Sequence, residues 1–201
     1  MNRVNFSTAA LCVFILIFLF TGCSPKQRYD RRLKHELASG IRNDSLFMGI
    51  YLGMPSREFY AHCWDLNKKG LVRQGAGNKT VEYQMNNELN HPALMNFYPH
   101  FKNDKIYDMP VKYKYVGWAP WNKELSSKKL QQDIKKYYEK KYGKGFITVK
   151  HPERGTAYIK IDGNRRITIF TKDDLDVWVI FTDLTVTQKL IMNPETFQNA
   201  R

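Results

Sequence analysis

Five histidines, His35, His62, His91, His100 and His151, and three cysteines, Cys12, Cys23 and Cys63, are the side chains of this 201-residue sequence best suited to metal binding or nucleophilic chemistry. Their spacing assembles neither. There is no Cys-x-x-Cys pair and no ligand-like histidine spacing, although His91 and His100 bracket one loop and could meet in space. The acidic group Asp173, Asp174 and Asp176, with Asp183 on the strand that follows, lacks the glycine and the terminal glutamate of a calcium loop, and reads as a polar hairpin turn. His-Glu-x-x-His, Gly-x-Ser-x-Gly, Ser-x-x-Lys with its partners and the Walker loop are missing as well. The sequence therefore points to no catalytic residue, metal ligand or cofactor. A carboxylate pair for glycoside hydrolysis would be a matter of three-dimensional separation.

Two stretches are better suited to binding. On one predicted helix, Lys128, Lys129, Lys135, Lys136, Lys140, Lys141 and Lys144 outnumber Asp133 and Glu139. A solvated helix face usually mixes its signs, so this lopsided one is a candidate contact for an anionic surface. The second is aromatic: Tyr113, Tyr115, Trp118 and Trp121, with Tyr107 before them and Phe97, Tyr98 and Phe101 upstream. Aromatic rings with polar tips suit interfaces and sugar faces, and they equally suit a sealed junction between two structural units.

Where such surfaces would work is written at the N-terminus. Residues 9–20, AALCVFILIFLF, hold no charge and follow a short n-region containing Arg3. Twelve helical residues reach roughly 18 Å, short of a hydrocarbon core of about 30 Å, which suits a secretory signal better than a spanning helix. The basic stretch after Cys23 would also suit a short signal anchor. Phe20-Thr21-Gly22-Cys23 resembles the lipobox of bacterial lipoproteins, with Phe20 in place of the usual Leu or Val. That resemblance implies cleavage after Gly22, acylation of Cys23 and attachment to an envelope membrane. Ser24 stands where an inner-membrane retention signal would usually place Asp, which implies the outer membrane, facing the periplasm. Only Cys63 would then remain as a thiol, and no disulfide could form within one mature chain.

The net charge of +13 loses only Arg3 with such a signal. For an exported chain the matching partners are lipid headgroups, acidic polysaccharide or an envelope protein, rather than nucleic acid. Hydrophobic content of 43% is enough for a packed core, so the remainder should fold.

The elements that must position these residues follow from periodicity. Residues 23–45 read as an acylated cysteine and basic tether. Tyr29, Leu33, Leu37 and Ile41 recur every four residues in it, which permits a short helix as readily as a solvated linker. Leu46–Leu52 reads as a strand. Phe59, Cys63 and Leu66 mark one face of a helix ending at Gly70, and make Cys63 a core residue. Val81, Tyr83 and Met85, then Val111, Tyr113 and Tyr115, alternate as strands, with a proline-containing loop or broken edge strand between them. Leu130, Ile134, Tyr137 and Tyr138 define a second helix, stopped by Gly143, and four strands follow it. Asp162-Gly163-Asn164 makes one hairpin turn among them. VWVIF (177–181) is apolar on both faces and belongs at the sheet centre.

The expected class is α+β, an antiparallel sheet with helices packed on one face. Its two tandem helix-plus-meander units would span residues 46–122 and 123–201. This order, and the entry GIYLGMPSREF (49–59), resemble the β-lactamase-inhibitor-like family shared by small envelope lipoproteins of the outer-membrane assembly type. That resemblance implies a binding rather than catalytic role. The functional expectation is a lipid-anchored, non-enzymatic binding or assembly module; the alternative is a lipid-anchored hydrolase acting on cell-wall or polysaccharide substrate.

Overall fold

A computed structural model describes residues 24–151 and 155–187. The expected signal segment and Cys23 lie outside the described residues. The fold is α+β, built on one antiparallel sheet of nine strands.

Helix α1 (Pro25–Ala38) comes first, then α2 (Ser56–Lys68), and then the strands β1 (Arg73–Gln74), β2 (Val81–Met85), β3 (Ala93–Phe97), β4 (His100–Lys102) and β5 (Lys105–Tyr115). Helix α3 (Ser127–Tyr142) leads into β6 (Ile147–His151), β7 (Gly155–Asp162), β8 (Arg165–Thr171) and β9 (Val177–Asp183), and the single turn α4 (Leu184–Thr187) follows. The sheet order is β1-β2-β3-β5-β9-β8-β7-β6, with β4 pairing the start of β5. Each half is a helix followed by a meander, and the halves meet where β5 pairs β9, Val111 opposite Val179.

The alternation of β5 decides the layers. Met109, Val111, Tyr113 and Tyr115 point to one side and are buried; Asp108, Pro110, Lys112 and Lys114 point to the other. On the buried side α3 packs across β5, β8 and β9, with Leu130, Ile134 and Tyr138 against Ile167, Ile169 and Phe181. Phe59 of α2 enters the same core. Pro110 falls where β5 exchanges β4 for β3 as neighbour, so its missing N–H costs the ladder little on that side.

Two local readings change, and one left open is decided. The segment Leu46–Leu52 is a folded turn rather than a strand. Met48 and Gly49 take positive φ, and the Leu46 amide bonds the Ile50 carbonyl. The turn doubles the run back, so Leu46, Phe47, Ile50 and Leu52 are all buried, where a strand would send half of them outward. The proline-containing stretch is broken but only partly edge: β3 lies between β2 and β5, with Pro92 just before it and Pro99 just after, while the short β4 pairs β5 alone. Finally, of the short helix and the solvated linker that residues 23–45 permitted, the helix is found. Ser24 and Gln27 form a reciprocal capping box. Tyr29, Leu33 and Leu37 then dock on Ile159 and Ile161 of β7, on the sheet face opposite α3. Two helices thus share one face, and α1 covers part of the other.

The α1 contact is pinned by polar groups as well. Glu36 accepts from the Gly163 amide, the Asn43 amide donates to Asn164 Oδ1, and Arg42 reaches Asp183 at 3.0 Å. Gly163 has φ +58°, and a Cβ there would overlap the Ile41 carbonyl oxygen, so the turn needs glycine for two independent reasons.

Candidate binding groove

On the face away from α3, no helix among the described residues lies across strands β2, β3, β5, β9 and β8, and they floor an open groove of about 830 Å³. Its composition follows from register, because directly opposed residues of an antiparallel sheet share a face. Phe170, Trp178, Lys112, Asn96 and Glu82 form one row across five strands. Thr168, Ile180 and Pro110 form the next, and Arg166, Thr182, Asp108 and His100 the one after. Lys114 and Leu94 close the opposite end. The floor is thus apolar in its middle and polar at both ends.

The charge balance is positive. Lys79, Lys112, Lys114 and Arg166 line the groove with two carboxylates, Glu82 and Asp108. Both carboxylates are engaged. Arg73 holds Glu82 at 2.7 Å, while Asp108 accepts from Thr182 at 2.8 Å and from His100 Nδ1 at 3.2 Å. That last bond raises the His100 pKa, since it favours the imidazolium. Thr182 donates to Asp108 and not to the histidine, so the trio lacks the nucleophile-to-base bond of a catalytic triad.

Two donors in this region, Trp178 Nε1 and Arg166 Nε, are buried without a hydrogen-bond partner among the described residues. Arg166 spends its other nitrogens on Tyr29 and Thr182, at 3.3 and 3.5 Å. A ligand offering acceptor oxygens would satisfy both orphaned donors, which otherwise carry a desolvation cost. Through the Tyr29 bond α1 lies beside the groove, although none of its residues lines it.

The residues singled out in the sequence are dispersed. Tyr113 and Tyr115 are 0% and 1% exposed; their hydroxyls bond Tyr138 and Asp133, so they belong to the core and have no surface to offer a ligand. Trp118 is half-buried and donates to the Asp174 carbonyl at 3.1 Å, whereas Trp121 is 85% exposed. The expected aromatic surface is corrected accordingly: of the four residues Tyr113, Tyr115, Trp118 and Trp121 only the tryptophans reach solvent, in the connection from β5 to α3, while Tyr98 and Tyr107 line the groove instead. Lys128, Lys136, Lys140 and Lys141 are exposed on α3. Lys129 and Lys135 are paired with Glu124 and Glu139, at 3.7 and 2.7 Å. The acidic turn is structural: Asp173 Oδ1 accepts the Leu175 and Asp176 amides, and the Asp173 and Asp174 carbonyls receive Ser127 at the start of α3. Cys63 packs against the core, and burial pushes its thiol up to about 11. Among the described residues no group of three or more His, Cys, Asp or Glu side chains could hold a metal ion.

Sequence reading passed over Trp178, Arg166, Lys112 and Lys114. The Lys-Tyr-Lys-Tyr alternation of residues 112–115 carried the signal for the lysines, since it separates a lysine face from a tyrosine face. Nothing local marked Arg166, which reaches the groove through the β8–β9 register. Compared with models of known protein families, with curated proteins and with solved structures, the chain matches none of them.

Proposed function

We propose that this chain is a lipid-anchored module of a bacterial envelope that binds a partner in the groove and faces the periplasm. The observation that carries the binding half is the open sheet face itself. One side of the sheet is sealed by α3, while the other leaves Trp178, Ile180 and Pro110 half-buried beside cations and orphaned donors. A sheet face with no role beyond the fold would carry its polar groups paired or in water. The lipobox resemblance at Phe20–Cys23 supports the anchor. A hydrolase would need two carboxylates facing each other across a cleft, and the two in the groove are committed to other partners.

Two measurements test the reading. Cys23→Ala abolishes palmitate incorporation and leaves an uncleaved precursor; unchanged labelling removes the anchor. A photo-crosslinking amino acid in place of Lys114 captures a discrete envelope component in intact cells, and Trp178→Ala weakens that capture. Capture that is diffuse, or indifferent to Trp178, removes the groove as the binding site.

A further inference from the structure

We infer that the outward face of α1 is the surface that lies on the membrane, against anionic lipid headgroups, with the sheet stacked behind it. This rests on the anchor reading and adds what that reading leaves open: which side of the folded body meets the lipid.

The first ground is continuity. The apolar run of residues 9–20 leads to Cys23, and the capping box begins at the next residue: Gln27 N donates to Ser24 Oγ at 3.2 Å, and Ser24 N to Gln27 Oε1 at 3.0 Å. No slack separates the anchor position from the helix. The helix in turn is fixed to the body by Tyr29, Leu33 and Leu37, and by the buried Glu36. An acyl chain on Cys23 would therefore hold the N-terminus of α1 at headgroup level, with the domain attached to it rigidly.

The second ground is charge. With Tyr29, Leu33, Glu36 and Leu37 facing the sheet, helical spacing turns Gln27, Arg28, Arg31, Lys34, His35 and Ala38 the other way, and all six are exposed. That stripe contains no carboxylate; Asp30 lies on its flank. The exposed face of α3 is likewise basic, with Asp133 and Glu139 half-buried, so charge makes α1 suitable without choosing it over α3; continuity with the anchor makes that choice.

The third ground is layer order. Because α1 and α3 occupy opposite faces of the sheet, one flat membrane cannot touch both. The groove shares the α1 face, so its mouth opens toward the headgroups across a gap of about one helix diameter, and its partner must reach it from the side. With α1 on the lipid, α3 lies beyond roughly two further helix diameters, about 20 Å. That is more than twice the screening length of about 8 Å at physiological salt, so its lysines add little to lipid attraction. The lysines singled out on α3 are thereby assigned away from the membrane.

The test uses cells producing the full chain with a benzophenone-bearing amino acid in place of Lys34 or of Lys136. After irradiation, the purified protein is examined by mass spectrometry for phospholipid adducts, and for palmitate on Cys23. Adducts are expected at position 34, at least about tenfold above those at 136. Arg28→Gln with Arg31→Gln should lower the yield at 34, by about fivefold per lost cation. An unchanged thermal unfolding midpoint shows that these exposed substitutions leave the fold intact. Equal adducts at the two positions, a preference for 136, or no adduct at 34 overturns the seating. Palmitate present without adduct at 34 rejects the seating and leaves the anchor standing; missing palmitate rejects the anchor, while the adducts still decide the seating.

Discussion

Glu36 Oε2 accepts the backbone amide of Gly163 at 2.7 Å, tying the inner face of α1 to the turn between β7 and β8. The bond is buried, and Glu36 Oε1 is held by Arg32 at 3.0 Å. Glu36→Ala leaves the Gly163 amide without an acceptor, at a cost of about 1–3 kcal/mol. Urea unfolding should show that loss, and α1 amides should lose hydrogen-exchange protection before the sheet does. Glu36→Gln keeps an acceptor and should lose less. An unchanged midpoint in the alanine variant would mean that α1 is not docked.

Tyr113 and Tyr138 share a hydroxyl–hydroxyl hydrogen bond in the core between β5 and α3. Replacing either one with phenylalanine orphans the other, again at about 1–3 kcal/mol. Replacing both removes the two polar groups together, so the double variant should be more stable than either single one. A double-mutant cycle read by denaturant unfolding measures the coupling, and strict additivity would show that the hydroxyls act independently.

His100 is raised above its ordinary value of 6.5 by its bond to Asp108. The fold therefore favours its protonated form. That contribution is fully present below the ordinary histidine pKa and fades as pH rises through the raised one. Asp108→Asn should bring the imidazole back toward its usual titration, followed by NMR of the ring proton, and should flatten stability against pH in that window. A His100 titration indifferent to Asp108 would contradict the pairing.

Cys63 has a thiol pushed up to about 11 by burial. At pH 8 only about one molecule in a thousand carries the reactive thiolate. Iodoacetamide should label Cys63 slowly in the native protein and rapidly in urea, with peptide mapping to separate it from the other cysteines. Fast native labelling would place the thiol at the surface.

What the sequence revealed depended on how locally each feature is encoded. Helix α3 was legible because Leu130, Ile134 and Tyr138 recur within the span of one element and Gly143 ends it. The Gly163-Asn164 turn was legible because two residues suffice to specify it. The turn at Met48-Gly49 was misread, since a short apolar run looks the same whether it extends or doubles back into a core. The groove was legible only in the alternation that sets Lys112 and Lys114 on one face: Trp178 and Lys112 become neighbours only when β9 pairs with β5, and no window of sequence contains both. The two buried tyrosines misled for a related reason, as aromatic composition alone does not tell which face of a strand a ring occupies.

The β5–β9 seam also imposes an order of events. β5 has β3 beside it as soon as the first half of the chain exists, yet its other edge waits for β9, the last strand among the described residues. A nascent chain emerging N-terminus first would carry that edge unsatisfied through the synthesis of α3, β6, β7 and β8. Closing so long a loop is slow, and an open strand edge invites pairing with another chain. Such a polypeptide can complete its sheet only once Asp183 has appeared.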